Sequence, residues 1–142
     1  MKRSSIFASA ALLALSSSVA FGLVLRHMDY TFTLTGKDGA AVHGSGTVKT
    51  DKTTEVELKL MGDVAGSVRP WHIHSGSCAK AGGVFGGGRS YTPITIDAKG
   101  DGASKASIVA VLPDTGTFYV NIHESSANMG KIVACGDLKH KM

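Results

Sequence analysis

The sequence predicts an all-β domain, an antiparallel Greek-key sandwich or barrel of about eight strands. Three observations carry that expectation. Apolar and polar residues alternate with period two in run after run, and helical periodicity is almost absent. Turn-forming Gly, Asp and Pro separate those runs at short intervals. Glycine makes up 18 of 142 residues, well above the usual share of roughly 7%, while charged residues at 18% fall below the usual quarter, which excludes a coiled coil and a disordered chain.

The first run is Tyr30, Phe32 and Leu34, alternating with threonines. Gly36-Lys37-Asp38-Gly39 is a turn signal, and Ala41 to Lys49 resumes an extended pattern, so the two runs predict a hairpin. Val56, Leu58 and Leu60 alternate with Glu55, Glu57 and Lys59, the pattern of a strand with one buried and one wet face. A short strand is expected over Pro70 to His74. Ala79 to Ser90 is dominated by glycine and reads as a flexible loop outside the core. Strand is expected again over Thr92 to Ile96, Ser107 to Leu112, Thr117 to His123 and Lys131 to Cys135. The Asp97 to Gly102, Pro113 to Gly116 and Glu124 to Gly130 segments are the separators.

Residues 1–22 read as a secretory signal peptide, leaving 23–142 as the single folded domain. Lys2 and Arg3 form a positive start, Ile6 to Val19 carries no charge, and Ala20-Phe21-Gly22 offers small residues for cleavage. Its serines make the stretch weak as a membrane anchor, and no later segment is long and apolar enough to span a bilayer. Setting the two leader cations aside lowers the formal net charge from +4 to +2, so nucleic acid is not an expected partner. The expected location is periplasmic or secreted. In an oxidising compartment the even cysteine count, Cys78 and Cys135, points to one disulfide, with two buried thiols as the alternative.

The chemistry concentrates in two places. In Trp71-His72-Ile73-His74, residues two apart share a strand face, so His72 and His74 present imidazoles side by side, roughly 6–7 Å apart at the backbone. That suits two ligands of one transition-metal ion, although such a pair alone is also compatible with hydrogen-bonded surface histidines. In Tyr119 to Glu124, Val120 and Ile122 share one face while Asn121 and His123 share the other. His123 acquires a metal-binding role only if the fold brings it to the other pair.

Gly36-Lys37-Asp38-Gly39, His72-Ile73-His74, Val120-Asn121-Ile122-His123-Glu124 and Ala134-Cys135-Gly136 resemble, in order and local sequence, the copper/zinc superoxide dismutases. The resemblance spans nearly the whole chain after the leader. It implies a Greek-key β-barrel, one copper ion held by His72, His74 and His123, a Cys78–Cys135 bridge, and superoxide as the substrate. The departures matter as much. That family places a bridging histidine and further zinc ligands in the loop after the paired histidines, whereas Cys78 to Pro93 contains no histidine, so zinc is not expected. The family's guiding arginine has only Lys131 near its place, with Ile132 at its spacing.

His-Ile-His-Ser-Gly, the glycine-rich stretch and Phe118 to Gly130 also look like the CHRD domain, a dismutase-like module whose members are generally not known as enzymes. The expectation is therefore an exported dismutase-like copper protein with a reduced site. The alternatives are a copper carrier and a non-enzymatic binding module. Glu124 is a candidate to hydrogen-bond a ligand imidazole, and Met61 and Met129 are candidate soft ligands. His27, His43 and His140 read as surface groups, and Trp71 as core or site wall.

Overall fold

The computed structural model describes residues 27–141. The leader expected over 1–22 and the first residues of the expected domain lie outside that range. The strands are β1 (Met28–Gly36), β2 (His43–Thr50), β3 (Thr54–Met61), β4 (Val68–Arg69), β5 (Trp71–Ser77), β6 (Lys80–Val84), β7 (Ile94–Thr95), β8 (Gly102–Ile108), β9 (Phe118–Ser125), β10 (Asn128–Asp137) and β11 (Lys139–His140). Every pairing is antiparallel. The main sheet runs β6-β5-β9-β10-β1-β2-β3-β8, with β11 also on β1, while β4 and β7 form a separate pair. β3 and β5, which follow one another within this sheet, lie far apart in the order, as do β8 and β9, which is the Greek-key crossover pattern expected.

Alternation decides which face is inside. On β3, Thr54, Val56, Leu58 and Leu60 are buried and the residues between them exposed. Inward residues of β1, β2, β3, β5, β8 and β9 join one cluster, with Trp71, Ile73, Val120 and Ile122 fully buried within it. A single cluster fed by strands from both ends of the order requires the sheet to curl into an open-sided barrel. Residues 85–92 bridge the open side. Phe85 N–H donates to Ile73 O at 2.8 Å, Tyr91 bridges to Ala106, and the Trp71 indole N–H donates to Thr92 O at 2.8 Å.

Three expectations change. The glycine-rich run is no flexible loop: residues 80–84 form β6, an edge strand on β5, and a 3-10 turn follows at Gly88–Ser90. Its glycines permit close contact, since a Cβ on Gly82 would stand 2.2 Å from Ser75 O. A Cβ on Gly86, where φ is +70°, would stand 2.1 Å from Ile108 Cγ2. The strand expected over Ser107 to Leu112 is displaced: β8 ends at Ile108, and Val109 and Val111 are exposed. Finally, β9 continues to Ser125 and β10 begins at Asn128, so the loop expected over Glu124 to Gly130 is mostly the end of a hairpin.

Cys78, in the turn between β5 and β6, is disulfide-bonded to Cys135 on β10 with a Cα–Cα distance of 5.9 Å. The bridge ties the edge hairpin across β9 to the barrel, and it fits an extracellular or periplasmic setting. No helix among the described residues is long and apolar enough to cross a membrane.

Candidate metal centre

Strand register brings the three histidines together. β5 and β9 pair His72 with Asn121 and His74 with Tyr119, so Tyr119, Asn121 and His123 lie on the same sheet face as the paired histidines. Trp71, Ile73, Val120 and Ile122 face the core, which leaves the histidines on the outer face of the barrel. His123 N–H donates to Pro70 O at 2.8 Å, setting His123 one step beyond His72.

His72, His74 and His123 each offer a ligand nitrogen, all within 4.8 Å of one another, and they form the one such group among the described residues. His72 Nδ1 stands 3.1 Å from His123 Nε2. Metal–imidazole bonds of about 2.0–2.1 Å need ligand nitrogens about 3–4 Å apart, so this spacing fits one ion after small ring rotations.

Main-chain carbonyls fix two of the rings. His123 Nδ1–H donates to Met129 O at 2.6 Å, and His74 Nδ1–H donates to Gly82 O at 3.1 Å. Each bond fixes the tautomer that keeps the proton on Nδ1 and makes Nε2 the acceptor nitrogen; that of His123 accepts from His72 Nδ1–H, and that of His74 has no protein partner. A ladder irregularity between Asn128 and Ile132 leads the chain away from regular pairing where Met129 turns its carbonyl to the ring. Gly82 reaches His74 because it lacks a Cβ that would strike Ser75.

His74 Nε2 is buried with no hydrogen-bond partner, in a residue only 9% exposed. An orphaned buried acceptor costs about 1–3 kcal/mol, and one lying beside two further imidazole nitrogens could be satisfied by a metal ion. Neutral imidazoles without nearby carboxylates suit copper, zinc, iron or nickel over hard cations.

The rest of the wall is aromatic. Tyr119 stacks on His74 with ring centroids 5.3 Å apart, and Tyr91 meets His72 edge-on at 5.1 Å. Gly88 closes the remaining side, where a Cβ would stand 3.3 Å from His72 Nε2. Trp71 belongs to the core and not to this wall.

Burial disfavours the charged form of His72 and His123. Burial, followed by the proximity of His123 and His74, pushes the His72 pKa down to about 4. Burial also lowers that of His123, with the Met129 carbonyl pulling the other way and His74 adding a downward push. The unfolded chain, with histidine near 6.5, therefore binds more protons than the folded one between about pH 6.5 and 4. Stability rises with pH across that window and is lost as pH falls through it. Thermal unfolding at pH 7 and pH 5 is expected to show a lower Tm at pH 5, and a His72→Ala/His123→Ala variant should show a smaller drop; equal drops would contradict the burial of neutral imidazoles.

The other sequence candidates lie elsewhere. Glu124 hydrogen-bonds no ligand ring: its carboxylate takes Lys131 and Asn128, the latter at 2.7 Å, while Met129 O and Gly82 O fill the role expected of it. Lys131 spends its charge on that pair. Met129 contributes its carbonyl to the site, and Met61 sits exposed at the end of β3, paired with His43. His43 is exposed and hydrogen-bonded to Ala41 O, His27 pairs with Asp29, and His140 lies against Tyr30. The sequence reading missed the orienting carbonyls, which carry no side-chain signature, and the Arg69–Asp63 pair, which no periodicity reveals. The chain matches no protein-family model and no curated protein.

Proposed function

We propose that this chain is an exported, dismutase-like copper protein that holds one copper ion on His72, His74 and His123 and acts on superoxide. The observation that carries the metal reading is the buried, unpartnered Nε2 of His74 within reach of two other imidazole nitrogens. Copper is favoured over other imidazole-binding metals by the resemblance in motif order to the copper/zinc superoxide dismutases, together with three imidazole nitrogen donors. Bound copper would supply one-electron redox chemistry.

The chain's own residues define how such a centre works. Met129 O and Gly82 O hold two rings in the tautomer that presents Nε2. Tyr91 and Gly88 stand against His72 and Tyr119 against His74, limiting water around those rings. Residues 80–91 contain no histidine or carboxylate to deliver a proton on that side, and the Tyr91 hydroxyl donates to Phe85 O.

A second reading, copper holding without turnover, is favoured by one observation: the Lys131 ammonium is paired with Glu124 and is not free to attract an anion. Superoxide consumption by copper-loaded protein separates the two. The enzymatic reading predicts consumption that disappears in the His72→Ala/His123→Ala variant. Loaded wild type that consumes superoxide no faster than that variant would leave a carrier.

A further inference from the structure

Arg69 and Asp63 form a buried ion pair beside the histidines. Their side chains are 10% and 4% exposed. Arg69 Nε donates to Asp63 Oδ2 at 2.8 Å and Nη2 to Oδ1 at 2.7 Å, a bidentate fork. Burial pushes the Asp63 carboxyl up, but the Arg69 bonds and the Val64 N–H together hold it below its usual range, so the pair is ionised.

If its task were only to pin the segment joining β3 and β4, the fork would suffice. Arg69 has a further donor, however, and Nη1 reaches Glu124 O at 2.6 Å. Glu124 directly follows the ligand His123, and Pro70, directly after Arg69, accepts the His123 N–H at 2.8 Å. The Glu124 carboxylate in turn holds Lys131 and Asn128, which flank the Met129-Gly130 segment whose Met129 carbonyl orients the His123 ring. The guanidinium thus holds the backbone directly after His123, the residue following Arg69 takes the His123 N–H, and the Glu124 side chain holds the hairpin that fixes the ring. Arginine is suited to this and lysine is not, because a planar fork serves a carboxylate and a carbonyl in fixed directions.

We propose that the Asp63–Arg69 pair is a positioning device for the metal centre, setting the direction of His123 Nε2 through the bond from Arg69 to Glu124 O. This rests on the metal-binding reading of the three histidines. Neither residue belongs to the histidine group; both act through the backbone that carries His123.

The test uses an Asp63→Asn/Arg69→Met variant, which removes both charges and so leaves none buried and unpaired, beside Arg69→Lys. Two readouts are taken: copper affinity with the Cu(II) electron paramagnetic resonance spectrum, and the imidazole 15N shifts of His123 without added metal. Disrupting the partners that orient a ligand typically costs 10–100-fold in metal affinity. The double variant is expected to bind copper about tenfold or more weakly, with altered Cu(II) hyperfine splitting and a mixed His123 tautomer in place of one protonated at Nδ1. Arg69→Lys should move all three in the same direction by less, and it decides the matter if the double variant does not fold. Unchanged affinity, spectrum and tautomer in a folded variant would overturn the proposal while leaving the metal site standing. If wild type binds no copper, the metal reading fails separately, and the tautomer still decides whether the pair orients His123.

Discussion

Replacing both cysteines, Cys78→Ser/Cys135→Ser, is expected to lower the unfolding free energy by about 4 kcal/mol, the chain-entropy value for closing a loop of 57 residues. For a domain of this size that corresponds to a Tm lower by roughly 15 °C, and reductant on wild type should act in the same direction. The bond is long-range in sequence but short in space: it joins the turn between β5 and β6 to β10, and Cys78 N–H also donates to Asp137 Oδ1 at 2.7 Å. Because the tethered hairpin carries Gly82, whose carbonyl orients His74, the same variant should bind metal more weakly. Calorimetry of the two proteins checks the first effect, and a Tm change of only a degree or two would show that the remaining contacts hold the hairpin unaided.

The second large effect is stabilisation by metal. A ligand that binds only the folded state at 100 times its dissociation constant stabilises by about 2.7 kcal/mol, enough to raise Tm by roughly 10 °C. Copper is expected to do this to wild type and to fail in His74→Ala. Removing His74 takes away the orphaned Nε2, so its loss should cost the metal-depleted protein less than a substitution in a fully satisfied site. Differential scanning fluorimetry with and without copper measures both. A copper-induced rise of equal size in His74→Ala would place the binding elsewhere.

The fold was legible where burial alternates. β1, β2 and β3 follow from Tyr30-Phe32-Leu34, the Gly36 to Gly39 turn and Val56-Leu58-Leu60, whose period assigns faces without help from tertiary structure. β8 was misplaced because its inward residues Ser104 and Ala106 are small and half-polar, while the more apolar run Ile108 to Leu112 contains two exposed valines. β6 was missed because every one of its residues is exposed, so an edge strand rich in glycine leaves no alternation to read.

The three histidines were legible by the same period-two rule, and motif order suggested their convergence, which the pairing of β5 with β9 provides. The groups that hold them were not. Met129 and Gly82 act through carbonyls that every residue possesses, and Arg69 meets Glu124 O across 55 positions of chain. Glu124 illustrates the converse: its type suggested a partner for imidazole, but Lys131 and Asn128 lie nearer and carry the complementary donors.

Copper stoichiometry and affinity of the oxidised protein, measured by chelator competition beside a His72→Ala/His123→Ala variant, test the central claim most directly. The three-histidine site predicts one copper per chain in wild type and an affinity at least about a hundredfold lower in the variant, since losing two ligands must cost no less than disturbing the groups that orient one. Weak binding of equal strength in both proteins would contradict it.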